Sequence, residues 1–445
     1  MDVEVNSNGV NKSIGYNILS DEKMKELHPG DQGILVSYMQ LALKRAGYDV
    51  TVDGDFGPKT CRALESFIGE NKACVVNDMV WNTLLPYLRG FTTHIIKSGD
   101  SLYNIAKMYR TTLEMIRQAN PGAEEDNLQI GTMITVPYRF DLVEETIPYT
   151  SLLTEWVLDG LQARYPYAET GSIGMSVMGS SIPYIKIGNG PTEVAYNASF
   201  HANESITTPV LLKFAEQLLK AYVTEEPYEG VKVPNLLEEF TLYLVPLVNP
   251  DGVDLVNGLL DSGRFYREAR RIASTYPKIA FPQGWKANIR GVDLNLQFPA
   301  GWEEAKRIKF ALGFDRPAPR DYVGPMPLSE PESVAMYQFT KMHDFALILA
   351  YHTQGEVIYW RYLNYEPEKS YVIAQYFTRV SGYAVEETPS DSGYAGYKDW
   401  FIQEYDRPGY TIEAGKGINP LPMDQFDQIY RDNVGILLGG MTELE

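Results

Sequence analysis

Strand-like and helical runs alternate from residue 141 to the end of the chain. The strand-like runs include EVAYNASF, FTLYLVPLVNP, FALILAYHT and GYTIEAG, and helical runs such as PVLLKFAEQLLKAY lie between them. This alternation is typical of α/β domains with a mixed, largely parallel sheet flanked by helices. We therefore predict an α/β domain over residues 141–445.

Two smaller blocks precede this domain, as expected for a chain of 445 residues. Residues 24–90 carry the amphipathic run QGILVSYMQLALKRAGY, the turn-forming DGDFGP and a second helical run, CRALESFI. Residues 91–139 have the pattern strand, helix, helix, strand, from THIIKSGDS to GTMITVP. The sequence therefore predicts a small helical domain followed by a βααβ module.

Charge and hydropathy exclude several classes of function. The net charge of -19 argues against a nucleic-acid partner, because phosphate binding needs a basic face. No apolar run is long enough to span a membrane. The start MDVEVNSNGVNKS has neither a basic nor an apolar signal region, so we expect no signal peptide and synthesis in the cytoplasm. Cys61 and Cys74 could either form a disulfide or remain buried thiols.

Polar residues of catalytic types follow three of the strand-like runs, where open α/β sheets hold their sites. His201 and Glu204 in SFHANES are either half of a metal site or two polar residues that share a turn. His352 ends FALILAYHT and is either a ligand or a satisfied core histidine. Glu413 in GYTIEAG is either a surface residue or a partly desolvated general base. Two histidines, one carboxylate and an open position make a catalytic zinc site.

Several separated motifs resemble one enzyme family. SFHANESIT, VPLVNPDGVD, RGVDLN, YHTQG, YKDW and YTIEAGKG occur in the order and approximate spacing of the zinc metallocarboxypeptidases, the carboxypeptidase A family, over most of residues 150–440. The resemblance implies one Zn²⁺ in the α/β domain, with three ligands: His201, Glu204 and His352. It implies that Glu413 is the base and that Arg290 polarises the scissile carbonyl. For substrate contacts and the assisting tyrosine it implies Asn295, Tyr394 and Tyr397, with the choice between the two tyrosines open.

One position departs from this family. Its ordinary members follow the motif asparagine with an arginine that holds the terminal carboxylate of the substrate, whereas VDLNLQF has Leu296 there. Leucine cannot bind a carboxylate. We therefore do not expect simple trimming of ordinary peptides from their carboxyl ends, and recognition charges should lie elsewhere.

The two N-terminal blocks suggest the substrate. HIIKSGDSLYNIAKMYRTTLEMIRQANPG resembles a LysM module, a family that binds glycans containing N-acetylglucosamine. The block with DGDFGPKT resembles the helical peptidoglycan-binding domain, with a generic helical bundle as the alternative. Two wall-binding modules on such a catalytic domain are similar to the bacterial γ-D-glutamyl-meso-diaminopimelate peptidases.

The resemblance therefore implies hydrolysis of peptidoglycan stem peptides at the cell wall or the spore cortex, with expression during sporulation as one route to the wall. Glycan strands and stem peptides are the expected partners. The alternatives are a general metallocarboxypeptidase, which Leu296 disfavours, and an inactive wall-binding or spore-binding protein. The intact set of His201, Glu204, His352 and Glu413 disfavours the latter.

Overall fold

The computed structural model describes residues 24–69, 73–123 and 128–444, so the predicted absence of a signal peptide concerns residues outside these ranges. The first block contains three helices: α1 (Ile34–Arg45), α2 (Pro58–Ile68) and α3 (Asp78–Arg89). The buried Gln40 accepts hydrogen bonds from the backbone N–H groups of Asp53 and Gly54 at 3.0 and 2.8 Å, which fixes the DGDFGP turn. Cys61 and Cys74 are joined by a disulfide.

The second block forms the predicted βααβ module. It consists of β1 (Phe91–Ile95), α4 (Leu102–Met108), α5 (Leu113–Ala119) and β2 (Met133–Pro137). β1 and β2 pair in antiparallel register. Ser101 and Thr112 accept hydrogen bonds from the first turns of α4 and α5 at 3.1 Å each, as expected for N-cap residues.

A mixed eight-stranded sheet forms the centre of the α/β domain, which confirms the predicted fold class. Its strands in chain order are β3 (Glu169–Met175), β4 (Ser181–Ile187), β5 (Thr192–Ala198), β6 (Phe240–Val245), β7 (Leu347–His352), β8 (Val357–Tyr359), β9 (Ala384–Glu386) and β10 (Gly409–Glu413). Their order across the sheet is β3-β4-β6-β5-β7-β10-β8-β9. The four central strands, β6, β5, β7 and β10, are parallel to one another. β6 and β7 are buried along their whole length, which explains their continuous apolar sequences.

Helices cover both faces of this sheet. They are α6 (Ser151–Arg164), α7 (Thr207–Thr224), α8 (Val233–Glu239), α9 (Pro250–Val256), α10 (Gly263–Ser274), α11 (Trp302–Ala311), α12 (Pro331–Lys341), α13 (Ser370–Ser381), α14 (Tyr397–Tyr405) and α15 (Phe426–Thr442). Among the described residues, no helix has the length and apolar character needed to cross a membrane.

The helical block shares its core with the α/β domain. The apolar cluster of α1–α3 continues without interruption into α6, α7 and one face of the sheet, whereas the βααβ module has a separate core around Leu102, Ile116 and Val136. A buried hydrogen bond of 2.8 Å joins Tyr38 of α1 to Thr150 at the start of α6. The helical block is therefore held rigidly against the α/β domain rather than tethered to it.

Candidate active site

The ends of three neighbouring parallel strands bring the candidate metal ligands and the candidate base together. His201 follows β5, His352 ends β7 and Glu413 ends β10. β7 lies between the other two strands, and Glu413 is the register partner of His352. Because the carboxyl ends of parallel strands meet at one edge of a sheet, residues far apart in sequence become neighbours here.

A turn rich in hydroxyl groups positions Glu204 between β5 and α7. Ser199, directly after β5, has a left-handed backbone with φ of 54°. Its hydroxyl lies 2.8 Å from the Thr208 hydroxyl, and the Thr207 hydroxyl donates to the Glu204 carbonyl at 2.7 Å. These hydrogen bonds fix the buried turn that carries the His-x-x-Glu pair.

His201, Glu204 and His352 each point one ligand atom toward a common centre. The Nδ1 atoms of His201 and His352 each lie 3.0 Å from a carboxylate oxygen of Glu204. They lie 3.1 Å from each other, and the three possible ligand atoms all fall within 4.8 Å of one another. Two imidazole nitrogens and a carboxylate with an open side are the ligands of catalytic zinc sites. The buried residues present here therefore fit a zinc ion.

Asp293 orients one of these ligands. Its Oδ1 lies 3.1 Å from Nε2 of His201, the ring nitrogen that faces away from the metal centre. Burial alone would raise the pKa of Asp293, but His201 and Lys286 hold it well below its usual range. The resulting carboxylate keeps the Nε2 proton in place and leaves Nδ1 free for a metal. Asp293 is a site residue that the sequence predictions missed, although it lies two residues before Asn295 in the motif RGVDLN.

Glu413 lines the same cavity with its carboxylate desolvated. Burial raises its pKa to about 8, with a further contribution from the negative charge of Glu204. A carboxylate of raised basicity next to a metal centre suits a general base. The structure thus brings Glu413 to the place that the sequence predicts.

The structure does not bring Arg290 into the cavity. Its side chain is 54% exposed and forms an ion pair of 3.5 Å with Glu330. Lys286 lines the cavity instead, is only 18% exposed, and places its Nζ 3.2 Å from Oε1 of Glu204. Burial opposes the charge of Lys286, but Glu204 and Asp293 raise its pKa, so the lysine is a cation. The short spacing from Arg290 to Asn295 is the sequence signal that could have moved the prediction to Lys286.

The predicted substrate-contacting residues are only partly brought together. Asn295 lines the cavity, and its Oδ1 accepts a 2.9 Å hydrogen bond from the backbone N–H of Tyr397. The Tyr397 ring is fully buried and its hydroxyl lies 2.9 Å from that of Thr340, so it does not reach the cavity. Tyr394 lines a neighbouring cavity of about 390 Å³ instead. Among the described residues, Tyr359 is the tyrosine that lines the metal cavity.

The metal cavity has a volume of about 200 Å³ and a strongly charged wall. Besides the residues above, it is lined by two cation–carboxylate clusters that come from different parts of the chain. The first contains Lys309, Arg320 and Asp321, and the second contains Lys398 and Asp399. Leu296 also lines this cavity and packs against Trp302 and Val323. The wall of the cavity therefore carries several charged groups of both signs.

Comparison with known proteins gives two matching families. Residues 154–434 match the zinc carboxypeptidase family and residues 94–137 match the LysM domain. The chain is 44% identical over 401 residues to γ-D-glutamyl-L-diamino acid endopeptidase 1 of Lysinibacillus sphaericus, covering 78% of this chain and 99% of that protein. It is 38% identical over 363 residues to the uncharacterized protein YqgT of Bacillus subtilis, covering 76% and 95% respectively.

Solved structures share the fold. Bovine thrombin-activatable fibrinolysis inhibitor, in complex with tick carboxypeptidase inhibitor, aligns with a TM-score of 0.52 and 17% sequence identity. The alignment covers 67% of this chain and 97% of that chain.

Proposed function

The chain belongs to the zinc carboxypeptidase family, and we propose that it hydrolyses the γ-D-glutamyl–diamino acid bond of peptidoglycan stem peptides. Its LysM domain is a module of a family that binds wall glycans. The relative from Lysinibacillus sphaericus, whose name specifies a γ-D-glutamyl-L-diamino acid bond, aligns over almost its whole length. We propose diaminopimelate as the diamino acid.

One observation carries this proposal. The cavity combines a complete set of metal ligands and a base with an apolar residue, Leu296, at the position of the carboxylate-binding arginine. Leu296 lies in an apolar cluster with Trp302, Ala305 and Ala395, so this position presents no cation to the cavity. The metal chemistry is therefore kept while ordinary recognition of a terminal carboxylate is lost. A substrate with additional charges, such as a γ-glutamyl-diamino acid, fits the two charged clusters of the wall.

The side chains of the cavity divide the work of amide hydrolysis. Zinc, when bound, supplies Lewis-acid activation of the scissile carbonyl and of a water molecule. Glu413 accepts the proton of the attacking water and later delivers it to the leaving nitrogen. Lys286 donates a hydrogen bond to the oxygen on which negative charge develops, the role that the family resemblance implied for Arg290. Asp293 holds His201 in the tautomer that leaves Nδ1 free.

The N-terminal units would hold the enzyme at its insoluble substrate. We assign glycan binding to the LysM domain and, from its DGDFGP turn, peptidoglycan binding to the helical block of residues 24–90. Binding to the wall raises the effective concentration of stem peptides around the cavity. Because the helical block shares a core with the α/β domain, its position relative to the cavity is fixed. We propose that the protein acts at the cell wall or the spore cortex.

Mass spectrometry of the tripeptide L-Ala-γ-D-Glu-meso-diaminopimelate tests the proposal. The zinc-loaded protein should release free diaminopimelate, and Glu413→Gln should not. Glu404→Gln is a matched control, because Glu404 is an exposed residue whose carboxylate pairs with Lys341 on the surface. Failure of the zinc-loaded parent to release diaminopimelate would contradict the proposal. Release of C-terminal residues from ordinary peptides would instead indicate a general carboxypeptidase.

A further inference from the structure

A loop between α11 and α12 forms one wall of the metal cavity. Its residues 319–322 are bound to the segment that carries Lys286 and Asp293. The carbonyl of Pro319 accepts hydrogen bonds from the backbone N–H groups of Lys286 and Ala287 at 2.8 and 3.0 Å. The backbone N–H of Asp321 donates to Oδ2 of Asp293 at 3.2 Å. The loop is therefore fixed to the same carboxylate that orients His201.

Asp321 holds the guanidinium of its neighbour, Arg320. The backbone of Asp321 has a φ of 66°, a left-handed conformation that non-glycine residues adopt mainly where their surroundings impose it. One carboxylate oxygen binds Lys309 Nζ at 2.7 Å, and the other binds Arg320 Nε at 2.6 Å. Arg320 is thus positioned by Asp321, whose backbone is bound to Asp293 and whose side chain is bound to Lys309.

The binding capacity of Arg320 is only partly used. Its Nε pairs with Asp321, whereas its two terminal nitrogens have no hydrogen-bond partner among the described residues. The side chain is 45% exposed and lines the metal cavity. Arg316 in the same loop makes a similar contact with its neighbour Asp315, but it is 69% exposed and does not line the cavity. A fixed guanidinium with free terminal nitrogens is suited to bidentate binding of a carboxylate.

The chemistry of a γ-glutamyl bond supplies such a carboxylate. When glutamate is linked through its side chain, its α-carboxylate stays free on the acyl side of the scissile bond, where an ordinary peptide has none. Arg320 lies beside the metal centre, since it lines the same cavity as His201 and its neighbour Asp321 is hydrogen-bonded to Asp293. In the carboxypeptidase family that this chain resembles, the carboxylate of the leaving residue is bound at the position of Leu296, next to Asn295. The acyl side is therefore the better match for Arg320.

Resting on the proposed function, we infer that Arg320 binds the free α-carboxylate of the γ-D-glutamyl residue and selects γ-glutamyl over ordinary peptide substrates. Arg320 is then a specificity-determining residue, held in place by Asp321. Arg320 does not replace the arginine that is missing at Leu296. That arginine would bind the leaving residue, whereas Arg320 binds the acyl residue of the scissile bond.

The test combines variants with amidated substrates. The zinc-loaded parent, Arg320→Gln and the matched control Arg316→Gln are assayed on L-Ala-γ-D-Glu-meso-diaminopimelate. Two analogues are used in parallel, one with the glutamyl α-carboxylate amidated and one with the α-carboxylate of diaminopimelate amidated. Loss of a charged hydrogen-bond pair predicts that Arg320→Gln lowers kcat/KM by about 10- to 100-fold, with zinc content unchanged and Arg316→Gln near the parent.

The analogues identify which carboxylate is bound. Amidation of the glutamyl carboxylate should lower kcat/KM of the parent by a similar factor and have little further effect on Arg320→Gln. A parent that cleaves both glutamyl forms equally well would overturn the inference, even if no Arg320 variant folds. If Arg320→Gln equals the parent only on the analogue with amidated diaminopimelate, Arg320 binds the leaving residue. This result would also overturn the inference. If the parent cleaves none of these peptides, the proposed function itself fails, and the inference fails with it.

Discussion

Replacement of Lys286 by glutamine tests the assignment of the oxyanion-stabilising group. Lys286 is a buried cation that lines the metal cavity, with its Nζ 3.2 Å from Oε1 of Glu204. Removal of one donor to a developing oxyanion costs about 100- to 1,000-fold in kcat, or roughly 3–4 kcal/mol of transition-state stabilisation. Because this charge exists only in the transition state, the loss should appear in kcat and leave KM nearly unchanged.

The response of zinc binding separates this role from a structural one. The cation of Lys286 competes with a metal ion for the negative charge of Glu204, so Lys286→Gln should bind zinc at least as tightly as the parent. A protein that had lost the structure of its site would instead lose the metal. Zinc content is measured by atomic absorption, and kcat and KM by release of diaminopimelate from the tripeptide.

Two further variants complete this experiment. Lys286→Arg keeps the positive charge and should retain more activity than Lys286→Gln. Lys278→Gln is a matched control, because Lys278 is an exposed residue of the same segment and should behave as the parent. A zinc-loaded Lys286→Gln protein that keeps more than about a tenth of the parent kcat would refute the assignment.

Three further predictions concern other side chains of the α/β domain. Asp293→Asn should weaken zinc affinity by about 10- to 100-fold in a chelator competition, because His201 loses the carboxylate that orients it; unchanged affinity would contradict this role. Tyr359 is the only tyrosine among the described residues that lines the metal cavity, so Tyr359→Phe should lower kcat. Tyr397→Phe should leave kcat unchanged, because the Tyr397 hydroxyl is bound to Thr340 in the core. The reverse result would restore Tyr397 as the assisting tyrosine. Burial raises the pKa of Asp254 from 3.8 to about 7, so its ionisation destabilises the folded state and the free energy of unfolding should fall as pH rises through this window. Asp254→Asn should remove up to ~1.4 kcal/mol per pH unit of that fall in urea titrations, and an unchanged slope would refute the shift.

The sequence places the candidate ligands and Glu413 at the ends of strand-like runs, and the family resemblance assigns their roles. His352 and Glu413 end apolar runs that form buried strands, and His201 follows a third. Parallel pairing then brings these positions together whatever the details of the connections. The fold class follows from the same alternation of runs, and the structure confirms it.

The remaining site residues depend on contacts that no local pattern records. Lys286 and Arg290 lie in an irregular segment, so only the hydrogen bonds of Lys286 and Ala287 to Pro319 show which cation faces the metal. Tyr397 begins α14, and the rotation of that helix turns its ring into the core beside Phe298. The left-handed backbone of Asp321 is equally hard to predict, because aspartate adopts this conformation more often than most residues but still only in a minority of positions.

This division between strand ends and loops has a functional consequence. The parallel strands fix the ligands and the base through backbone pairing, so substitutions in the loops can change recognition without disturbing the metal chemistry. Leu296 removes one recognition charge in a short turn, and Arg320 adds another in a loop that is bound to Asp293. Asp293 also orients His201. The loop that carries Arg320 and the metal ligand His201 are therefore both held by the same carboxylate. Selection of a γ-glutamyl substrate can therefore arise at the existing metal centre, with the strands unchanged.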